Sequence, residues 1–233
     1  MLRPRGDRRA LRHAAHEGNV GGHADPRSAA ADVGLCSARP TPIAMPRPPN
    51  LVFIVADDLG FADLGCYGGR VPVSPVLDRL AAEGLRFTQG YANSPVCSPT
   101  RFALMTGRWQ YRLRGAAEEP INSRSRGSTT LGLPPEHPTL PSLLRGAGYR
   151  TALVGKWHLG YPPAFGPLRS GYDEFFGPMS GGVDYFTHCS SNGQHDLWFG
   201  EEEKAEEDYL TDMLSKRAVE YIDRMALRNR MEG

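Results

Sequence analysis

The run Leu51-Val52-Phe53-Ile54-Val55-Ala56 narrows the possible folds more than any other stretch of this chain. It is continuously apolar and lacks the alternation of a half-exposed strand, so it suits a central strand covered on both faces. It ends at Asp57-Asp58-Leu59-Gly60. Residues 85–91 and 149–154 read as further strands. Between them, Ser74-Pro75 opens an apolar-spaced helix closed by Gly84, and Thr139 caps a second, short one. Strand, helix, strand, then loop and helix is the rhythm of an α/β fold, here expected as a central, mostly parallel sheet flanked by helices. Leu210, Met213, Leu214, Tyr221, Ile222 and Met225 share one helical face, which predicts an amphipathic helix over 206–228.

Composition sets the class. In 233 residues, 40% are hydrophobic and 23% charged, which is ordinary for a soluble domain, and a net charge of +1 argues against a nucleic-acid binder. Residues 1–48 hold eight arginines and four acidic residues, whereas the rest carries 19 basic against 22 acidic ones. That first segment shows no period of 2 or 3.6 and reads as a disordered basic extension, with residues 49–233 as the ordered part. Met45 followed by Pro46-Arg47-Pro48-Pro49-Asn50 has the look of a natural start, so the extension is expected to be non-native. His13, His16 and His23 have no structured cage around them that would make metal ligands of them. Cys36, Cys66, Cys97 and Cys189 include no Cys-x-x-Cys pair, so neither a zinc site nor a disulfide framework is expected. No apolar run approaches the roughly 18 residues of a membrane span or shows the apolar core of a signal peptide. The expectation is a soluble, cytoplasmic protein.

Chemistry concentrates at three places. At the end of the first apolar run, Asp57 and Asp58 repel one another unless a cation lies between them; otherwise they form a solvated acidic turn. The second place is residues 94–108, a loop running into a helix, with Ser98 as its expected N-cap and Pro99 as its first helical residue. Cys97 would then sit just ahead of free N–H groups, where a thiolate or bound oxyanion is stabilised. Otherwise it is a small buried hydrophobe. Arg101 adds a planar cation suited to a tetrahedral oxyanion. Third, alternation after the 149–154 strand puts Lys156 and His158 on one face, a cation and a titratable imidazole at the strand's carboxyl end. Residues 112–135 read as a surface loop whose Arg112, Arg114, Arg124 and Arg126 either face water or help hold an anionic substrate.

These places share a resemblance. Cys97-Ser98-Pro99-Thr100-Arg101 resembles the Cys-x-Pro-x-Arg modification signature of the sulfatase family, and Ala103-Leu104-Met105-Thr106-Gly107-Arg108 continues the match. Asn50, the apolar run, Asp57-Asp58 and residues 60–68 resemble the opening of a sulfatase. Gly155-Lys156-Trp157-His158-Leu159-Gly160 is similar to the family's lysine and histidine motif. Gly171-Tyr172-Asp173-Glu174-Phe175-Phe176-Gly177 and Asp184-Tyr185-Phe186-Thr187-His188 are similar to arylsulfatase B-like members, with His188 read as a structural histidine. The resemblance spans roughly three quarters of the chain, residues 49 to about 228.

It implies an alkaline-phosphatase-like fold and a sulfuric ester hydrolase acting on an aryl or carbohydrate sulfate. Cys97 would be oxidised by a formylglycine-generating or sulfatase-maturating enzyme to formylglycine, and one hydroxyl of its hydrate would attack sulfur. The second hydroxyl would then expel sulfate as the aldehyde re-forms. Asp57, Asp58 and the modified Cys97 would hold a divalent metal, Ca2+ or Mg2+. Arg101 and Lys156 would steady the oxyanions, and His158 would contact the modified residue or substrate. A further histidine, an Asp-Asn pair, another lysine and a C-terminal domain of the family find no match before Gly233. The resemblance is therefore to the family's N-terminal half, with an incomplete sheet. Two other readings stay open: a phosphonate or phosphodiester hydrolase of the same superfamily, and an inactive fragment acting as an interaction protein; the isolated chain is expected to be inactive, because the second-half ligands are missing.

Overall fold

The computed structural model describes residues 48–114 and 120–231. The expectations for residues 1–47, including the histidine trio and the start near Met45, lie outside the described residues. The chain divides into two units between Phe53 and Ile54, and among the described residues every helix and strand belongs to the second unit.

Among the described residues, one four-stranded sheet runs in the order β1-β2-β3-β4, with β1 at Ala152–Val154, β2 at Glu174–Pro178, β3 at Leu197–Phe199 and β4 at Glu202–Glu203. β1 pairs in parallel with β2, setting Leu153 opposite Phe175 and Val154 opposite Phe176. The other two pairings are antiparallel, so the sheet is mixed. Strand alternation then sorts the core into two layers. Phe175 and Leu153 pack on one face with Phe102, Leu133, Trp157 and Met179. Phe176 and Val154 point to the other, against Leu197, Leu210 and Met213.

Of the four α-helices among the described residues, the second and the last supply core residues to these faces. α1 (Pro75–Glu83) and α2 (Cys97–Thr106) precede the sheet, α3 (Leu140–Gly146) leads into β1, and α4 (Leu210–Met231) closes the chain. α3 begins with the expected cap: Thr139 Oγ1 accepts from the Ser142 N–H at 3.2 Å, and Ser142 Oγ accepts from the Thr139 N–H at 2.8 Å. α4 buries Leu210 and Met213 and half-buries Leu214, Tyr221 and Met225, the stripe that the apolar spacing predicts. Ile222 departs from that stripe and is exposed. No helix among the described residues is long and apolar enough to cross a membrane.

Several expectations fail here. Residues 51–56 and 85–91 form no strand; Ile54 is 76% exposed and Leu85 87%. An apolar run becomes a strand through a partner ladder and cover on its faces, and among the described residues nothing pairs with either run. Residues 112–135 are also more than a surface loop. Leu113, Ile121 and Leu133 from this stretch are core residues, hidden in the sequence by the arginines, serines and glycines around them.

One glycine is required where β2 meets the end of β1. Gly177 has φ +147°, and a Cβ there would lie 2.3 Å from the Gly155 carbonyl oxygen. Both the backbone conformation and the close approach exclude a side chain. Gly177→Ala should therefore cost about 3 kcal/mol or more and lower Tm by about 10 °C in a thermal unfolding scan. Gly146→Ala, which meets nothing within 4 Å, should leave Tm nearly unchanged.

Candidate active site

α2 carries the site's first two groups. Its start lies two residues earlier than expected: Val96 is the N-cap, Cys97 the first helical residue, and Pro99 lies two positions further in. Pro99 still fits, because an N–H at the third position has no partner within the helix. The Thr100 N–H reaches back to the Val96 carbonyl at 3.2 Å, and the Thr100 hydroxyl to the Ser94 carbonyl at 2.8 Å, tying the incoming loop to the helix. Cys97 is half-buried and carries a free thiol, as do Cys66 and Cys189. Gly107, with φ +64°, ends the helix in the left-handed conformation that a glycine tolerates.

One turn into α2, Arg101 projects toward the segment after β1. Its Nη1 donates to the Lys156 carbonyl at 2.6 Å, and its Nη2 lies 3.5 Å from Asp57 Oδ2. Lys156 Nζ meets the same oxygen at 2.5 Å. Two cations from distant parts of the chain thus converge on one carboxylate. Partial burial pushes the Asp57 carboxyl up, but Lys156 and Arg101 outweigh it and hold the group below the usual carboxylate value. With Asp57 ionised, the trio carries one net positive charge, which an anion would compensate.

The strand alternation expected to align Lys156 with His158 does not operate, because β1 ends at Val154 and Gly155 turns with φ +121°. Hydrogen bonds from the N–H groups of Trp157 to the Pro178 carbonyl and of His158 to the Met179 carbonyl, both 3.0 Å, hold the segment instead. His158 itself takes φ +63° and is buried, with Nε2 bonded to the Ile121 carbonyl. Burial pushes its imidazole pKa down to about 4, and the nearby charges of Lys156 and Arg101 act in the same direction against the Ile121 carbonyl.

That depression sets a pH dependence. The unfolded chain takes up a proton at this histidine near its ordinary value of 6.5, whereas the folded chain resists until about 4. Between those values the unfolded state binds more protons, so stability is full above pH 6.5 and declines as pH falls toward 4, by about 3 kcal/mol in total. Urea unfolding at pH 7.5 and pH 4.5 measures the loss, and His158→Asn should flatten it.

Asp58 and Cys97 stand apart from this cluster. Asp58 is exposed, with φ +56°, an uncommon conformation that aspartate tolerates better than most residues. Among the described residues, no three His, Cys, Asp or Glu side chains converge as a metal site would require. In kind, the donors fit a hard cation: two adjacent carboxylates supply oxygen, but few of the roughly six to eight ligands that calcium takes. Of the four loop arginines, Arg126 is engaged by the protein itself, stacked 5.1 Å from the Trp198 ring centroid and paired with Glu203. Arg114 pairs with Glu136 at 3.6 Å, while Arg112 and Arg124 are exposed. His188 is fully buried, with Nε2 on the Asp208 carbonyl at 3.0 Å, a structural placement.

One element of the site, and one buried carboxylate outside it, escape sequence reasoning. The Ile121 carbonyl, which meets His158, is a backbone acceptor and leaves no side-chain signature. Asp196 is 1% exposed and accepts from Trp198 Nε1 at 2.7 Å and the Ser180 N–H at 2.8 Å. The Asp-x-Trp spacing is the one signal that could point to it.

Comparison with known proteins covers the same residues. The sulfatase family model matches residues 49–231. Steryl-sulfatase of Mus musculus is 48% identical over 127 residues, covering 54% of this chain and 20% of that protein. Arylsulfatase A of Homo sapiens is 49% identical over 121 residues, or 52% of this chain and 23% of that protein. The crystal structure of Ps i-CgsB in complex with k-i-k-neocarrahexaose superposes with a TM-score of 0.65 at 33% identity, covering 73% of this chain and 40% of that one. The chain thus spans about a fifth to a quarter of the length of the curated relatives it matches.

Proposed function

The chain belongs to the sulfatase family, and from that premise we propose that it contributes the nucleophile-bearing part of a sulfate-ester hydrolase. What supports the reading is the convergence of Lys156 and Arg101 on Asp57, next to the helix that begins with Cys97. The trio's surplus positive charge suits a sulfate monoester, whose oxyanions are held by charge-assisted hydrogen bonds. Arg101 offers a planar fork fixed through the Lys156 carbonyl, and Lys156 a compact point charge whose position is set by Asp57. His158 is neutral near pH 7, so its unpartnered ring nitrogen can accept a hydrogen bond from a group that reaches it.

Cys97 is the modification site in this account. It carries a free thiol in the first turn of α2; once oxidised by a formylglycine-generating enzyme it would supply a hydrated aldehyde as the nucleophile toward sulfur. Asp57 and Asp58 would hold a divalent cation, calcium by their oxygen chemistry, which supplies positive charge to the sulfate oxygens when bound. The alcohol that carries the sulfate is an aryl or carbohydrate alcohol. The relatives' names span steryl-sulfatase, arylsulfatase and N-acetylgalactosamine-6-sulfatase, so they do not choose among these alcohols.

The test is a direct comparison of leaving-group chemistry. An extended, active protein that includes this chain, produced together with a formylglycine-generating enzyme, should hydrolyse 4-nitrophenyl sulfate faster than bis(4-nitrophenyl) phosphate. A preference for the phosphodiester would move the assignment to phosphorus chemistry.

A further inference from the structure

The residue after Cys97 has a connection that the signature does not explain. Ser98 is 1% exposed, and its Oγ accepts the Ile121 N–H at 3.1 Å. The carbonyl of Ile121 faces His158 Nε2. Ser98 and His158 are therefore joined through Ile121, a core residue whose backbone is held on both sides.

The hydrogen-bond chemistry fixes the proton. A carbonyl oxygen accepts and cannot donate, so His158 Nε2 must carry the hydrogen. The ring is neutral near pH 7, which leaves Nδ1 with a lone pair and no hydrogen. That nitrogen is buried and has no hydrogen-bond partner among the described residues. The ring lies close against Gly181, where a Cβ would be 2.6 Å from His158 Cε1, so only glycine leaves room for it there. A buried, unpartnered acceptor costs about 1–3 kcal/mol, and it is retained here by a built support.

We propose that Ser98 is a positioning residue: through Ile121 it holds His158 in the Nε2–H tautomer, so that Nδ1 is presented as an acceptor for a hydroxyl donor. The tautomer rests on the hydrogen bonds of Ser98, Ile121 and His158. The hydroxyl donor, a hydrated aldehyde at Cys97 or a substrate hydroxyl, rests on the proposed function. The two can therefore fail separately. Loss of the Ser98 oxygen releases the Ile121 N–H, so Ile121 can change φ and ψ and re-aim the following peptide that carries its carbonyl; the imidazole then exchanges between both tautomers or turns its ring.

The experiment is long-range 1H–15N correlation on the full 233-residue chain labelled with 15N-histidine, at pH 7, with His158 assigned by the signal lost in His158→Gln. The wild type should show the single pattern of an Nε2–H imidazole. Ser98→Ala should lose that single pattern, and Ser98→Thr, which keeps the oxygen, should restore it. Should Ser98→Ala not fold, Ser98→Cys, close in volume and poor as an acceptor, is expected to lose the pattern in its place. An Nδ1–H pattern in the wild type, or an unchanged Nε2–H pattern in whichever variant lacks the oxygen and folds, overturns the proposal. Neither result depends on sulfate-ester turnover.

Discussion

In an extended, active protein that includes this chain, Cys97→Ala is expected to abolish sulfate-ester hydrolysis, by about 10^5-fold or more, because under the proposed function it removes the atom from which the nucleophile is made. Nothing nearby substitutes for it. Ser98 beside it is buried and its oxygen is engaged by the Ile121 N–H. The other cysteines of the described residues provide the controls. Cys66 lies in a turn whose backbone N–H is held by Asp78 at 2.7 Å, and Cys189 Sγ sits in a local turn, 3.4 Å from the Thr187 carbonyl. Cys66→Ala and Cys189→Ala should stay within about twofold of the parent rate, as substitutions away from a reacting centre usually do. The rate measured with 4-nitrophenyl sulfate, after maturation of all three variants under identical conditions, separates these outcomes. Equal losses in the three variants would show that a thiol is needed for packing rather than for chemistry.

The second large effect concerns calcium. Asp57 and Asp58 are adjacent carboxylates, and one oxygen of Asp57 already faces Lys156 and Arg101. A cation between the two aspartates relieves their mutual repulsion, and Asp58 keeps its left-handed backbone at a cost of about 1 kcal/mol, as residues at ligand sites often do. The Asp57→Ala, Asp58→Ala double variant should lose calcium binding by more than the 10–100-fold that removal of a supporting residue costs. Lys156→Met should leave the affinity equal or higher, since Lys156 competes for the same oxygen. Calorimetric titration with calcium reads both. Undiminished binding in the double variant would reduce the pair to a solvated acidic turn.

Much of this was legible in the residues themselves. Thr139 and Ser142 announce the start of α3, the apolar spacing of residues 210–225 announces α4, and Lys156 with Arg101 stands out as a pair of cations in motif contexts. What was not legible depends on partners. The run at 51–56 states that it needs cover, but which chain provides the ladder is not written in it, and the run is exposed here. Val96 replaces Ser98 as N-cap because the Ser98 hydroxyl is turned to the Ile121 N–H instead, a long-range contact that overrides a local preference. Asp196 reads as a surface charge until Trp198 and Ser180 are seen to donate to it. In each case the decisive group is a backbone or side-chain partner distant in sequence or without a signature of its own.

The proposed function depends first on the conversion of Cys97 into the nucleophile, and mass spectrometry of the tryptic peptide spanning residues 87–101 tests it most directly. After coproduction with a formylglycine-generating enzyme, that peptide should carry an aldehyde in place of the thiol, reactive toward a hydrazide probe, while Cys66 and Cys189 keep their thiols. Cys97 recovered as an unmodified thiol, under conditions that convert a control sulfatase peptide, would contradict the account.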